Sequence, residues 1–208
     1  MEKHPWYLSS FAGQVSDYDG DWVSYQWSDD GTVLGSGALQ TVAEGAPVNL
    51  PPLAVSSLGV GTHTITLRVG DGVNNPVSKS CPVSIIDTQA PTLAPVANQT
   101  LRWPPDHRMV EIVITANASD NSRLPLALKA TVARNERENG LGDGDIAPDW
   151  TVPTLCPGSG TISMRLRAER SGRGAGRQYT VTMTATDTSG NANSANLKVF
   201  VPHDQKKK

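Results

Sequence analysis

The sequence has no long apolar run, no sustained helical period and almost no net charge. No stretch approaches the roughly 20 apolar residues that a transmembrane helix needs, so we expect no membrane insertion. The formal net charge of -2 gives the chain no overall attraction to nucleic acid. Apolar residues nowhere keep the helical spacing over a long stretch, which predicts that helices are few and short.

Cysteine is also scarce. The 208 residues include two, Cys81 and Cys156, so a disulfide framework is not what stabilises the fold. Because these two cysteines lie in different predicted domains, we expect them to be buried free thiols. A bridge between the domains or between molecules is the alternative.

The abundant residues are threonine, valine, serine, glycine and proline. The chain has 15 prolines and 19 glycines but only two phenylalanines and four tyrosines. This composition is typical of many short strands joined by tight turns. We therefore predict an all-β protein.

The most distinctive segment is acidic and rich in glycine, and it spans residues 138–150. Asp143 and Asp145 are two residues apart, so their carboxylates point the same way on an extended chain. Neighbouring carboxylates repel each other unless a cation lies between them, and Ca²⁺ accepts irregular loops of oxygen ligands. The segment holds no histidine or cysteine, which argues against zinc. We predict a Ca²⁺ site with Asp143, Asp145 and Asp149 as core ligands and Glu138 as a further ligand; a solvated acidic turn is the alternative.

A second acidic segment carries Asp17, Asp19 and Asp21 at alternate positions, and we keep these as candidate metal ligands. It is not a calcium-binding helix–loop–helix, because tryptophan and serine stand where that loop requires glycine and glutamate. In the first half of the chain, alternating apolar residues predict strands at residues 6–15, 23–27, 62–69 and 79–86.

The order of motifs in the first half resembles the polycystic-kidney-disease (PKD) repeat, an immunoglobulin-like β-sandwich. The resemblance covers about residues 10–87 and rests on three segments, residues 16–21, 27–31 and 61–71. It implies that Trp27 is the core tryptophan of the sandwich rather than a platform for a ligand. Such repeats have one more strand at the start. The resemblance therefore implies a first domain, residues 1–87, that lacks its opening strand.

A segment at residues 87–91 marks the domain boundary, because its Ala-Pro pair stops strand pairing. Residues 63–71 of the first half align without a gap with residues 179–187 of the second. In both, an aspartate ends the penultimate strand, which indicates two copies of one fold. The strands predicted beyond the boundary are residues 109–115, 126–132, 161–167, 179–187 and 193–201.

The second half, residues 88–208, resembles hyalin-repeat and bacterial immunoglobulin-like modules. The resemblance rests on residues 87–91 and 185–191, and the acidic stretch is similar to an insertion in such modules from secreted bacterial proteins. Many hyalin repeats carry paired cysteines, but this half has only Cys156, so their disulfide is not implied here. Together the two resemblances imply two tandem immunoglobulin-like β-sandwiches.

Signs of an enzyme are weak. The four histidines, His4, His63, His107 and His203, are scattered, and none lies beside a plausible serine or cysteine nucleophile. The paired carboxylates lie in predicted turns, whereas acid–base catalysis needs a carboxyl group in an apolar pocket. We therefore expect no enzymatic activity.

Two further groups are candidates for ligand contacts. Five arginines lie close together, at Arg165, Arg167, Arg170, Arg173 and Arg177. We interpret them as the exposed, charged face of a hairpin that prevents edge-to-edge pairing, with contact to an anionic glycan or another subunit as the alternative. Trp103 and Trp150 are weak candidates for stacking on a sugar, and packing under a loop is the simpler assignment.

A second metal hypothesis concerns the domain boundary. Asp87 lies at the boundary, and Asp71 and Asp187 end equivalent strands. Because loops cluster at the two ends of a sandwich, we expect Asp87 to share an ion with one of three groups: Asp187, Asp71, or the set Asp17, Asp19 and Asp21.

The sequence as a whole predicts a non-enzymatic structural or adhesive module, extracellular or at the cell surface and stabilised by Ca²⁺. A strand from another copy or a neighbouring domain can complete a sandwich that lacks its first strand, which would make the chain a subunit of a surface filament. The donor is either residues 1–10 or the final strand, residues 197–201. A missing strand that belongs to a longer parent chain is the competing explanation. The alternative functions are a spacer, or a glycan-binding accessory module, of a larger secreted enzyme.

Overall fold

The structure is a computed structural model that describes residues 9–55, 58–100, 104–137, 147–156, 158–172 and 175–203. Strands account for 56% of the described residues and helix for 2%, which confirms the predicted all-β class. The chain divides into two compact units, Met1–Asp87 and Thr88–Lys208, at the residue where the sequence predicts the boundary. No helix among the described residues is long and apolar enough to cross a membrane.

The first unit is built from short and medium-length strands with one 3₁₀ turn, Ala43–Gly45, in its described part. The strands are β1 (Ser9–Phe11), β2 (Gln14–Val15), β3 (Trp22–Asp29), β4 (Thr32–Gln40), β5 (Val48–Asn49), β6 (Leu53–Val55), β7 (Gly61–Gly70) and β8 (Val77–Ile85).

An antiparallel sheet of order β4-β3-β7-β8 forms one layer of this unit, and the pairs β1–β6 and β2–β5 contribute to the packing against it. Alternate residues of a strand point to the same side, so Val23 and Trp27 of β3 are buried together with Ile65 of β7. Phe11 of β1 and Leu50, just after β5, complete this core. The prediction that Trp27 is a core residue is confirmed.

The sequence pattern predicts no strand where β4 lies. Its two glycines and weak apolar alternation give little strand signal. The glycines serve close packing instead, because a Cβ atom at Gly37 would lie 2.5 Å from the Tyr25 hydroxyl oxygen. A Cβ atom at Gly35 would lie 2.9 Å from Leu53 Cδ1. Tertiary packing therefore decides the conformation of β4.

The second unit contains longer strands and a larger core. Its strands are β9 (Thr92–Leu93), β10 (Val96–Ala97), β11 (Met109–Thr115), β12 (Ala118–Ser119), β13 (Ala127–Arg134), β14 (Thr154–Cys156), β15 (Thr161–Arg167), β16 (Gly176–Thr186) and β17 (Ala192–Pro202).

Two sheets of the second unit, β10-β11-β15-β14 and β13-β16-β17, enclose its core in a β-sandwich-like arrangement. A short β9–β12 pair accompanies them. The apolar face predicted from the alternation in residues 161–167 is confirmed by the burial of Ile162, Met164 and Leu166. The other buried side chains of this core come from β11, β16 and β17 and from the residue after β11: Ile112, Ile114, Ala116, Tyr179, Val181, Met183, Val199 and Val201.

The last strand, β17, pairs and packs within its own unit. Along its whole length β17 pairs with β16, and Val199 and Val201 are almost fully buried. Residues 197–201 are therefore occupied within the second unit. Ser9 and Ser10 pair with β6 of the first unit, so the candidate donor strand is reduced from residues 1–10 to residues 1–8. Both cysteines are free thiols, but neither is buried, with Cys81 exposed on β8 and Cys156 half-buried on β14.

Candidate functional site

A group of buried, paired charges lies at the end of the second unit where β16 begins and β13 and β15 end. We call it the buried ion network and define it by five residues: Arg134, Glu136, Asp149, Glu169 and Arg177. Charged side chains are rarely buried unless they are paired, so this end of the sandwich is chemically distinct from its apolar core.

Arg177 is the centre of the network. Its Nη1 atom lies 2.8 Å from Asp149 Oδ1 and 3.3 Å from Glu169 Oε1, and its Nε atom lies 3.4 Å from Glu136 Oε2. Burial alone would lower the pKa of Arg177, but Tyr179, Asp149 and Glu169 outweigh it and hold the pKa above its usual value. The guanidinium is therefore a permanent cation that neutralises several carboxylates at once.

Asp149, predicted as a calcium ligand, is engaged by arginines. Its side chain has no solvent exposure, and its second oxygen, Oδ2, lies 2.9 Å from Arg134 Nη1. Each carboxylate oxygen thus faces a guanidinium group, and a divalent cation in the same place would be repelled by both. The structure gives Asp149 an ion-pairing role in place of the predicted metal-binding role.

Trp150, the weak candidate for sugar stacking, packs against other residues of the second unit. The Arg134 guanidinium carbon lies 4.8 Å from the centre of its ring, which is a cation–π contact. Trp150 also forms a β-bridge with Leu166. The other tryptophan candidate, Trp103, lies outside the described residues.

The interpretation of the five arginines as one exposed face is wrong for two of them. Arg165 is exposed, but Arg167 and Arg177 are buried. Arg167 donates from Nε and Nη2 to the Pro148 carbonyl at 3.1 and 3.0 Å, and from Nη1 to the His107 carbonyl at 2.9 Å. The physical reason is that these guanidinium groups satisfy buried acceptors that only the folded loops bring together.

The ion network holds both flanks of the predicted calcium loop. The predicted ligands Glu138, Asp143 and Asp145 lie outside the described residues. On the upstream side, Arg177 pairs with Glu136 and donates from Nη2 to the Arg137 carbonyl at 3.3 Å. On the downstream side it pairs with Asp149. Arg177 is therefore a positioning residue for the chain that enters and leaves this loop.

A different acidic group is formed by Asp87, Asp120 and Asp187. Each offers a carboxylate oxygen, and these oxygens lie within 4.8 Å of one another. Asp87 and Asp187 are buried and Asp120 is half-buried. Of the partners predicted for Asp87, the structure brings Asp187 to it. Asp120 was not among the predicted ligands, and nothing in the local sequence indicates that it joins this group.

Asp187 is held as a carboxylate by its own turn. Its Oδ1 atom accepts hydrogen bonds from the backbone nitrogens of Ser189 and Asn191, both at 2.8 Å, and Oδ2 accepts one from Asn191 Nδ2 at 2.8 Å. Burial opposes ionisation, but these hydrogen bonds outweigh it and lower the pKa of Asp187. The charge that a cation would neutralise is thus present at neutral pH.

Asp71 of the first unit has the same arrangement. Its Oδ1 atom accepts from the backbone nitrogens of Val73 and Asn74, and its Oδ2 atom accepts from Asn74 Nδ2 at 2.7 Å. These bonds, led by the Asn74 side chain, lower the pKa of Asp71 to about 2. The two equivalent aspartates predicted from the internal repeat therefore form equivalent turns.

The remaining predicted ligands, Asp17, Asp19 and Asp21, do not converge. Asp17 Oδ1 accepts a hydrogen bond from the backbone nitrogen of Asp19, as in an ordinary turn. Among the described residues, Asp87, Asp120 and Asp187 are the one group of three or more acidic, histidine or cysteine side chains whose atoms lie close enough to share an ion.

The comparisons identify no relative. No model of a known protein family matches the chain, and no curated protein is significantly similar to it.

Proposed function

We propose that the chain is a non-enzymatic extracellular module with a structural or adhesive role, built from two immunoglobulin-like sandwiches of the PKD and hyalin-repeat kinds. The observation that carries the proposal is the strand order of the second unit. An immunoglobulin constant-type domain has seven strands, A to G, in the sheets A-B-E-D and C-F-G. With β10, β11 and β13 to β17 taken in chain order as A to G, the observed orders are A-B-E-D and C-F-G.

A tyrosine in the penultimate strand adds support. Immunoglobulin-like domains have a tyrosine near the start of strand F whose hydroxyl bonds to the backbone upstream. Tyr179 stands near the start of β16 and donates its hydroxyl proton to the Arg167 carbonyl at 2.9 Å. Burial raises the pKa of Tyr179 to about 12, so the hydroxyl remains a donor at neutral pH.

The surroundings of the titratable groups support a non-enzymatic role. His63 bonds to Asp29 and to the Gly59 carbonyl, and His107 bonds to Glu169. The buried carboxylates of Asp149 and Glu169 are paired with arginine, whereas a general acid needs an apolar surrounding.

Ca²⁺ is part of the proposal, with two places for it. The group of Asp87, Asp120 and Asp187 supplies three oxygen ligands, and the predicted ligands Asp143 and Asp145 supply the other place. A cation that binds only the folded state stabilises it, so chelation should lower the melting temperature.

Single substitutions show which of the two places binds the ion. If the boundary group binds it, Asp187→Asn removes the response to chelator, and Asp71→Asn, the matched control in the equivalent turn, keeps it. If the loop binds it, Asp145→Ala removes the response instead. Asp149→Asn destabilises the protein but keeps the response in both cases. A wild-type melting curve that chelator does not move, together with no Ca²⁺ uptake by calorimetry, refutes the calcium proposal.

Strand addition to the first unit is the proposed mode of assembly. In the described part of the chain, β1 pairs only with β6 and β2 pairs only with β5. The other edges of β1 and β2 therefore have no partner strand. The unit buries three residues in its core cluster, against eleven in the second unit, and nine further apolar side chains around it are only partly buried. An added strand would cover both the open edge and these side chains.

Deleting residues 1–8 tests the assembly. Light scattering and electron microscopy should show multimers or filaments of the intact chain, and loss of assembly with both units still folded after the deletion. An intact chain that stays monomeric at high concentration refutes the filament proposal and favours the spacer alternative.

A further inference from the structure

One row of polar side chains crosses the outer face of the four-stranded sheet in the first unit. Gln26 of β3 lies directly opposite Ser36 of β4 and Arg68 of β7, and Arg68 lies opposite Ser78 of β8. Directly opposed residues have Cβ atoms about 4.5–5.5 Å apart. We call Ser36, Gln26, Arg68 and Ser78 the polar row.

The polar row is exposed, and its side chains have no partner among the residues that the structure describes. None of its four side chains makes a hydrogen bond or an ion pair in the described part of the chain. Elsewhere on this face the polar groups are already paired, as Thr66 Oγ1 with Ser80 Oγ at 2.9 Å and Ser24 Oγ with the Gly70 carbonyl at 3.0 Å. The donors and acceptors of the row are therefore available to a ligand.

The row lies in a cleft rather than on a flat surface. Ser36, Gln26 and Arg68 line a cleft of about 660 Å³, which the turn between β7 and β8 borders through Asn74 and Pro76. Arg68 is the one charged residue among the lining residues.

An exposed aromatic ring extends the same face. Trp22 is an even number of residues from Gln26 on β3, so it points to the same side of the sheet, and it is 63% exposed. The four residue steps from Trp22 to Gln26 span about 13 Å of strand, which is longer than one sugar ring. A ligand that reaches both Trp22 and Arg68 is therefore an oligomer.

We propose that this cleft binds an acidic glycan, with a uronic acid carboxylate on Arg68. A guanidinium binds a carboxylate through two parallel hydrogen bonds. The Gln26 amide and the Ser36 hydroxyl donate to and accept from sugar hydroxyls, and Trp22 offers its ring to a sugar face. A protein partner would need an apolar centre to its interface, which the polar row does not offer. This site is independent of calcium and of strand addition.

The test is calorimetric titration of the full chain with hexasaccharides that contain uronic acids: hyaluronan, alginate and oligogalacturonate. At least one is expected to bind, and chitohexaose, which is neutral, is expected to bind much more weakly. Arg68→Gln should weaken binding by about tenfold or more, the effect of losing a charge-assisted hydrogen bond. Arg165→Gln is the matched control, because Arg165 is an exposed strand arginine in the other unit, and it should bind like the wild type.

Three outcomes overturn the proposal: no hexauronate binds, the neutral sugar binds equally well, or Arg68→Gln binds like the wild type while its melting temperature is unchanged. A chain that binds none of these sugars still leaves the calcium and assembly proposals open to their own tests. Gln26→Ala gives a second check, because it should weaken binding less than Arg68→Gln and should not alter the preference for acidic sugars.

Discussion

Among single residues, Arg177 has the largest electrostatic consequence, because three carboxylates share it as a partner. Its side chain is 1% exposed, and those of Asp149 and Glu169 are fully buried. A buried ion pair adds little net stability compared with an apolar pair, but the loss of one partner leaves the others charged and desolvated. The network therefore makes this end of the sandwich sensitive to single substitutions.

Arg177→Met should lower the free energy of unfolding by about 3–5 kcal/mol, because Asp149 and Glu169 would remain buried without their shared cation. Arg165→Met, at an exposed strand position, should change it by no more than about 0.5 kcal/mol. Urea denaturation measures both. If both substitutions have equally small effects on the free energy of unfolding, the buried ion network does not contribute to stability in the way that its burial indicates.

His63 makes the first unit sensitive to pH. Its Nδ1 atom lies 2.7 Å from Asp29 Oδ2 and its Nε2 atom 2.9 Å from the Gly59 carbonyl. The Gly59 carbonyl and then Asp29 raise the pKa of His63 above the ordinary value of 6.5. Since the folded pKa lies above the unfolded one, the stabilisation is fully present below 6.5 and is lost as pH rises through the folded pKa.

His63→Gln should therefore destabilise the protein more at about pH 5.5 than at about pH 8.5. Urea midpoints of wild type and variant at both pH values give the difference. Asp29→Asn removes the negative charge beside Nδ1 and should reduce the same pH dependence. If the effect of His63→Gln is equal at both pH values, folding does not raise the pKa of His63.

At the scale of elements, Tyr179 ties β16 to the end of β15. Its ring belongs to the apolar core, and its hydroxyl bonds to the Arg167 carbonyl at 2.9 Å. The hydrogen bond fixes the connection between these two strands from inside the sandwich. The Arg167 guanidinium in turn donates a hydrogen bond to the Pro148 carbonyl. Successive hydrogen bonds thus link β16, the end of β15 and the loop that contains Pro148.

Tyr179→Phe should lower the free energy of unfolding by about 1–3 kcal/mol, because the buried Arg167 carbonyl loses its donor. Tyr18→Phe is the control: Tyr18 is 77% exposed, so its loss of a hydroxyl should have almost no effect. Thermal melting with a two-state fit measures both. A Tyr179→Phe variant as stable as wild type would mean that another donor reaches this carbonyl.

The edge strand β8 of the first unit carries residues that protect it against pairing with another chain. Strand β8 has no neighbour on its outer side among the described residues, and it carries Pro82 and Lys79. Proline removes a backbone donor and lysine adds charge, and both discourage pairing with another chain. Strand addition is therefore expected beside β1 and β2 and not beside β8.

At the scale of the whole molecule, the two units differ in how much apolar surface they bury. Six apolar residues of the first unit are buried in the described part of the chain, against thirteen in the second. The second unit has the core of an independent domain, so a chain of residues 88–208 should fold alone. A chain of residues 1–87 should be much less stable, because its core is small.

Urea denaturation of the two separate chains measures this difference. The longer chain should show a cooperative transition, and the shorter one should unfold at lower denaturant concentration. An unfolded 88–208 chain would refute the independence of the second unit. A 1–87 chain as stable as the other would mean that its core needs no added strand.

Much of the fold was predictable because its signals are local. The alternation of Ile162, Met164 and Leu166 predicts both a strand and its buried face, since side-chain direction repeats every two residues. The strand β4 was missed because its glycines carry no such signal, and its closeness to Tyr25 and Leu53 is a tertiary fact. The predicted ligands Glu138, Asp143 and Asp145 remain predictions.

The sequence alone determined the all-β class, most of the strands, the boundary at Asp87 and the equivalence of Asp71 and Asp187. All of these depend on periodicity and turn chemistry within a few residues. Only the tertiary structure decided which charges meet: Arg177 pairs with Glu136, 41 residues away, and Asp120 joins Asp87 and Asp187. A charged residue looks the same in a sequence whether it is solvated or buried, because its environment is set by distant segments that the fold brings together.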